Sequence, residues 1–391
     1  MKILCITSRV PWPLEKGDKL RIYHQLRALS ERNEIVLCAL NDAPLHPEAV
    51  TELKKFCTEV HLLPLAKLPI FGNLIRGLFS GIPFQVAYFT SAGAAKKINS
   101  IIDTSKPDRI FCQLIRTAEY VRGRNDIPRV IDYMDVFSKG VERRIAKVNA
   151  LRRPVFRMEW KRLLRYEKEI FSLFDAHTII SVQDRDLLPV AEKEKVVVVP
   201  NGVDTDFFQP LEAKKEYELL FNGNMNYPPN VESAEYIVKK ILPLVWKKKP
   251  QVRLLISGAT PAPEVLALRS EKVQVTGWVD DVRESFARSQ ILVAPMQSSI
   301  GLQNKILEAM AMKLPCVTTT LSNNAVKAVP DSQILVADTP EQFATHILLL
   351  LDHPEKAKQL AENGYKMVNE KFNWKQTCAL LEKVIAGAAR H

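Results

Sequence analysis

The sequence predicts an α/β protein built from two parallel-sheet domains. Three observations lead there. Short apolar runs alternate with amphipathic segments along most of the chain, the pattern of parallel strands joined by helices. That pattern restarts near residues 183–195. The chain, at 391 residues, is long enough for two domains with full cores.

In the first half, residues 2–7, 34–40, 60–64, 108–112, 129–133 and 178–182 read as strands, and 20–30, 47–56 and 92–106 as helices between them. Ligands of such sheets bind beyond the carboxyl ends of the strands. The first such end is the loop from Ser8 to Arg21. Pro11 and Pro13 break regular structure, Gly17 permits positive φ, and Asp18 suits the cap of the next helix. Arg9, Lys19 and Arg21 bring positive charge, and a plain surface loop fits the same residues. Residues 70–84 are strongly apolar but too short to span a bilayer; they read either as an interfacial segment or as a helix buried on the first sheet. Asp132 and Asp135 fall at or just past the strand that ends near residue 133. Between residues 141 and 170, ten lysines and arginines stand against four acids, and Pro154 splits the stretch into two helices. Helices so biased lie on anionic membrane surfaces; a solvated face is the other reading.

Residues 196–200 and 217–221 are strands, the latter opening the second sheet. It ends in 222–230, whose small and polar residues permit close backbone approach to a diphosphate. Residues 253–257 and 273–276 continue the sheet, and Asp280 or Asp281 then suits a helix N-cap. A buried strand at 291–294 runs into Pro295, a short polar loop containing Gly301, and a helix over 302–312. Strand, loop and helix N-terminus in that order make an anion site, because first-turn N–H groups are free and carry partial positive charge. Gly301 lets a phosphate approach the backbone. Asn304, Lys305 and Glu308 share roughly one helix face. A carboxylate that deep can accept hydrogen bonds from ribose hydroxyls. An ordinary βα unit with a solvated Lys–Glu pair fits the spacing equally well.

Composition narrows the classes. The formal net charge of +11 points to an anionic partner: a lipid headgroup, a phosphorylated acceptor or nucleic acid. No nucleic-acid-binding motif is present. No run of eighteen apolar residues exists, and the first seven residues read as a strand rather than a signal peptide. The six cysteines are scattered, and Cys5, Cys38, Cys112 and Cys316 lie in apolar runs, as reduced core residues of a cytoplasmic protein. No G-x-G-x-x-G follows the first strand, against a Rossmann oxidoreductase.

Two stretches carry a family resemblance. Glu308-Ala-Met-Ala, followed by Lys313-Leu-Pro-Cys-Val-Thr318, resembles the E-A-M-A-x-G-x-P-V-V stretch of family 4 glycosyltransferases. Val199-Pro-Asn-Gly-Val-Asp, running to Pro210, resembles that family's P-N-G-V-D-x-x-x-F-x-P. The order is the family's, and the likeness extends over nearly the whole chain. It implies a retaining, metal-independent hexosyltransferase of the GT-B type: two Rossmann-like domains facing across a cleft, with a terminal helix crossing back to the first. It implies domains at 1–185 and 186–372 and the crossover helix at 373–391.

The resemblance also assigns roles. Gly223, Asn224, Gly301, Leu302, Gln303, Asn304, Lys305 and Glu308 would bind the donor, Glu308 at its ribose and the loop amides at its diphosphate. Gly17, with Asp18, Arg9 and Arg21, falls on the acceptor side. Asp135 would contact acceptor or sugar, or simply cap the next helix, and with Lys305 is the catalytic candidate. The turn at Gly277 matches one whose backbone meets the nucleobase. Asp204-Thr-Asp206 resembles the metal triplet of the other large glycosyltransferase fold, but it follows Asn-Gly-Val rather than a nucleotide-binding strand, so no metal is implied.

Three departures stand out. Asn224 replaces the arginine common after the glycine, no lysine follows before Lys239, and Ile300 stands where many members carry a second carboxylate. Lys305 is the residue that could supply the missing charge. The chain is also similar to bacterial exopolysaccharide-assembly transferases. The implied partners are a UDP-sugar or other nucleotide sugar, with no further cofactor, and a glycan or polyprenyl-diphosphate-linked acceptor, at the inner face of an anionic membrane. A non-catalytic nucleotide-sugar-binding or scaffold protein on the same fold is the alternative.

Overall fold

A computed structural model describes residues 1–65, 72–73, 77, 81–297 and 302–389. The chain divides into two compact units, Met1–Pro200 with Trp374–His391, and Asn201–Asn373.

The first unit is a seven-stranded parallel sheet: β1 (Lys2–Thr7), β2 (Glu34–Asn41), β3 (Glu59–Pro64), β4 (Arg109–Gln113), β5 (Arg129–Asp132), β6 (Ala176–Ile179) and β7 (Val197–Val198). Their order is β3-β2-β1-β4-β5-β6-β7. Cys5 pairs with Leu37 on one side and Phe111 on the other. Both faces of β1 are covered, so Ile3 and Cys5 enter one core layer and Leu4 and Ile6 the other. That is why the strand reads as an unbroken apolar run. The helices that matter below are α1 (Gly17–Leu29), α2 (Phe137–Lys147) and α3 (Arg153–Phe171). Pro154 sits in the first turn of α3, where its missing N–H costs nothing.

The terminal helix, Trp374–Gly387, belongs to this unit. Leu381 and Ile385 join the layer of Ile3, Ile22 and Leu26. The Trp374 ring stacks on His24 at 4.9 Å, and Asn33 donates to Glu382 at 2.8 Å. The domain break expected at 185 moves to 200. The reason is β7, a two-residue strand that pairs with β6 and keeps 186–200 in the first unit.

The second unit is a six-stranded parallel sheet: β8 (Tyr217–Asn222), β9 (Leu254–Ser257), β10 (Val273–Val275), β11 (Ser289–Ala294), β12 (Cys316–Thr318) and β13 (Leu335–Val336), in the order β10-β9-β8-β11-β12-β13. The helix after β11 is α4 (Asn304–Ala311). It buries Ile306, Leu307 and Met310 against Leu220, Leu292 and Cys316.

In each unit the chain builds outward from one central strand, then returns to that strand's other side. The reversal lies between β1 and β4 in the first sheet and between β8 and β11 in the second. Loops leaving the carboxyl ends of such a strand pair diverge and leave a crevice. All six cysteines are buried and unpaired. Among the described residues, no helix is long and apolar enough to cross a membrane.

Candidate functional site

In the second unit, the carboxyl ends of β8 and β9 each turn on a glycine. Gly223 has φ +146 and Gly258 φ +140. A Cβ on Gly258 would sit 1.9 Å from the Gly223 carbonyl oxygen, so only two bare backbones fit side by side. The Gly223 N–H donates to Ser257 O at 3.0 Å and the Gly258 N–H to Gly277 O at 3.2 Å, which ties the three strand ends together. After Gly223 the chain folds on itself. Asn224 Oδ1 accepts from the Asn226 N–H (3.0 Å) and from Thr260 Oγ1 (3.1 Å).

Helix α4 faces this turn. It begins at Asn304, two residues later than expected, with Gln303 as its N-cap residue and no side-chain capping bond. Gly301 and Ile300 lie outside the described residues. Lys305 is 8% exposed. Its Nζ donates to Asn230 Oδ1 at 2.7 Å and lies 4.4 Å from the centroid of the Phe221 ring. It would also be 3.3 Å from a Cβ at Gly223. The cation thus reaches from α4 to the glycine turn, where the expected arginine is missing. Asn230 holds both sides together, since its Nδ2 donates to Asn224 O at 2.9 Å.

Glu308 is half-buried, one turn deeper on the same face, and accepts a hydrogen bond from the Asn222 side chain. Asn304 Oδ1 accepts from Asn201 Nδ2 at 3.3 Å. This contact ties Asn201, in one stretch that carries the family resemblance, to the first turn of the helix that carries Glu308 of the other. Leu302 is half-buried against the apolar layer beneath α4.

Burial sets the protonation of this pair. It pushes Lys305 down to about 7, with the Glu308 charge opposing. It pushes Glu308 up to about 7, with Lys305 and the Asn222 hydrogen bond opposing. Both groups therefore change charge near neutrality, next to a glycine turn and a helix N-terminus. Such a site can take a diphosphate at the turn and hydroxyls at the carboxylate. Asn222 and Asn230 were not singled out in the sequence. An asparagine in a loop reads as a turn former, and nothing in the spacing tells that its amide will bridge two elements.

At the first unit's reversal point, residues from three strand ends gather. Arg9 and Asp18, after β1, form an ion pair. Asp18 therefore does not cap α1, which begins at Gly17 with no side-chain cap. Gly17 is helical and exposed rather than in the positive-φ region. Arg116, after β4, is stacked between Phe89 (4.8 Å) and Phe137 (4.9 Å) and donates to Gln85 Oε1 at 3.2 Å. Burial, then Arg9, lowers it to about 10.

Asp135, after β5, is exposed. Desolvation by the protein around its carboxyl, then the Asp184 charge, raises it to about 6, and Arg116 opposes the rise. Water reaching its open side limits that desolvation. Asp135 does not cap α2, whose N-cap residue is Val136 and whose first turn has no side-chain cap.

Arg21 is the correction here. It is fully buried, and its Nε donates to Asp132 Oδ2 at 2.6 Å and its Nη2 to Val199 O at 2.9 Å. Asp132 also accepts from Gln25 and Thr178. Arg21 therefore offers no charge to a ligand. Its job is to neutralise a buried carboxylate and anchor the end of the first unit. In the second unit, Asp281 rather than Asp280 caps its helix, accepting from the Arg283 N–H at 2.9 Å. Asp204 Oδ1 accepts the N–H groups of Asp206 and Phe207, so it closes a turn.

Residues 216–353 match the family described as Glycosyl transferases group 1. Over 406 residues the chain is 20% identical to an uncharacterized 44.6 kDa protein in the cps region of Klebsiella pneumoniae, covering 98% of this chain and 99% of that one. It is 24% identical over 260 residues to the MMP alpha-(1->4)-mannosyltransferase of Mycolicibacterium hassiacum, covering 63% of this chain and 62% of the relative. The crystal structure of Anabaena HepE in complex with UDP-glucose superposes with a TM-score of 0.69 at 14% identity, over 99% of each chain.

Proposed function

We propose that this chain, which carries a group 1 glycosyl transferase domain on a GT-B fold, moves a hexosyl group from a nucleotide diphosphate sugar to a glycan or polyprenyl-diphosphate-linked acceptor, with retention and without a metal. The observation that carries the reading is Lys305. A buried lysine reaching from a helix N-terminus to a glycine turn is a seat for a diphosphate. Two names support it: a mannosyltransferase among the relatives, and a UDP-glucose complex among structures of the same fold. The cps-region relative supports a place in surface polysaccharide assembly. On this reading the enzyme works in the cytoplasm at the inner face of the membrane.

In the reaction the bond from the anomeric carbon to the diphosphate oxygen breaks and the acceptor oxygen bonds to that carbon. Negative charge grows on the departing diphosphate. The first-turn amides of α4 and protonated Lys305 stabilise it there. Gly223 and Asn224 give the diphosphate backbone room, and Glu308 accepts hydrogen bonds from the ribose hydroxyls. In the first unit, Asp135, Arg9 and Asp18 contact the acceptor or the transferred sugar.

A thermal-shift screen of UDP-, GDP- and ADP-sugars tests the donor assignment, since a ligand that binds only the folded state raises its melting temperature. At least one should stabilise the wild type and none should stabilise Glu308→Ala to the same extent. No shift with any of them would overturn the donor assignment. A shift without transfer to any lipid-linked acceptor would favour the binding-protein alternative.

A further inference from the structure

Helix α3 carries a second charged feature that the donor chemistry does not use. Arg157, Lys161 and Arg165 are exposed and stand one turn apart on one side of it. With Pro154, Met158 and Arg162 they line a concavity of about 460 Å³. Arg162 is buried beneath them, donating to Gly77 O at 2.7 Å with its guanidinium 5.2 Å from the Phe84 ring. The helix's own acids are turned elsewhere. Glu159 accepts the N–H groups of Phe84 and Gln85, Glu167 accepts from Ser138, and Glu169 pairs with Arg122. Among the described residues, no ion pair joins Arg157, Lys161 or Arg165 to a carboxylate. The described residues bonded to α3 from this side, Gly77, Ile82, Phe84 and Gln85, include no acid.

Like charges four residues apart destabilise a helix. A row of them without acids is stabilised by an anionic partner. At the amino end of the same helix, Leu151 is 88% exposed and Val155 51% exposed. Apolar side chains beside a basic row suit a bilayer interface, where the first enter the acyl boundary and the second meet phosphate headgroups. A nucleic acid would reward the charge but not Leu151 or Val155.

We propose that the exposed row of α3, with Leu151 and Val155, docks this chain on an anionic phospholipid surface. The inference does not rest on the donor reading. It names the partner that brings a lipid-linked acceptor within reach.

The test is co-sedimentation of the full chain with vesicles of phosphatidylcholine alone or mixed with phosphatidylglycerol, at increasing salt. Wild type should bind the anionic vesicles preferentially and lose them as salt rises. Each basic residue near an anionic leaflet is worth roughly fivefold in partitioning, so the triple variant Arg157→Gln, Lys161→Gln, Arg165→Gln should bind on the order of 100-fold more weakly. Leu151→Ser with Val155→Ser should weaken binding while keeping its salt dependence. All five positions are exposed, so the variants should melt like wild type. Nucleotide-sugar binding by the triple variant should be unchanged, which separates this inference from the donor reading.

Three results would overturn the proposal: equal binding to both vesicle types, an unaffected triple variant, or release from vesicles by millimolar inorganic phosphate. Tighter binding of duplex DNA than of vesicles would overturn it too.

Discussion

Lys305 and Glu308 predict an exchange of protons within the site when the donor binds. Burial pushes Lys305 down and Glu308 up to about 7, so near pH 7 the pair holds about one proton between them. A diphosphate charge about 4 Å from the Lys305 ammonium is worth roughly 4 kcal/mol at an effective dielectric of about 20. That exceeds two pKa units, so Lys305 should be fully protonated in the complex. Ribose hydroxyls donating to Glu308 favour its charged form, so it should give up its proton. The proton lost by one is gained by the other, and the wild type should show almost no net proton change.

The single variants should break this balance in opposite directions. In Lys305→Met, Glu308 loses the cation that lowers it and starts mostly protonated; binding should release up to about one proton. In Glu308→Gln, Lys305 loses the anion that raises it and starts mostly neutral; binding should take up to about one. Each variant also loses a charged hydrogen bond of about 1.5–3 kcal/mol, about 10- to 100-fold in affinity. The assay is isothermal titration calorimetry with a nucleotide sugar at pH 7 in buffers of different ionisation enthalpy. If both variants showed the wild-type proton balance and affinity, the reasoning would be refuted.

Three further outcomes follow from the geometry. Gly258→Ala forces a side chain into a positive-φ position and onto the Gly223 carbonyl, so it should cost about 2–5 kcal/mol by denaturant melting and weaken nucleotide binding. Arg21→Met leaves Asp132 buried without its cation and should cost about 3–5 kcal/mol, with Asp132→Leu recovering part of that in the double variant. Asp135 holds its proton more tightly folded than unfolded, so its contribution falls as pH rises from about 4 to about 6. Because water reaches the open side of Asp135 and weakens the effect, Asp135→Asn should raise the melting temperature only slightly at pH 8 and not at all at pH 3. If the carboxylate serves catalysis, the acid limb of kcat/KM near pH 6 should vanish with it.

The strands were legible because both faces of each sheet are covered. Residues 2–7, 254–257 and 291–294 are near-continuous apolar runs, and the structure makes strands there. Helix α4 was legible from its position after a buried strand and from its stripe of Ile306, Leu307 and Met310. The fate of Arg21 was not. Arginine in a loop before a helix reads as an exposed cation, and only the parallel pairing of β5 beside β4 brings Asp132 beneath it. Asn230 was hidden for a similar reason. Its two hydrogen bonds go to residues in different elements, and local spacing carries no record of that. The domain break was misplaced because two residues of strand leave too weak a pattern to read.

The most direct test is a crystal structure of the chain with a nucleotide sugar. The account predicts the diphosphate within hydrogen-bonding distance of the Asn304 and Lys305 amides and of Lys305 Nζ, and the ribose hydroxyls on Glu308. A nucleotide bound with Lys305 still turned to Asn230 alone, and its ribose away from Glu308, would contradict it.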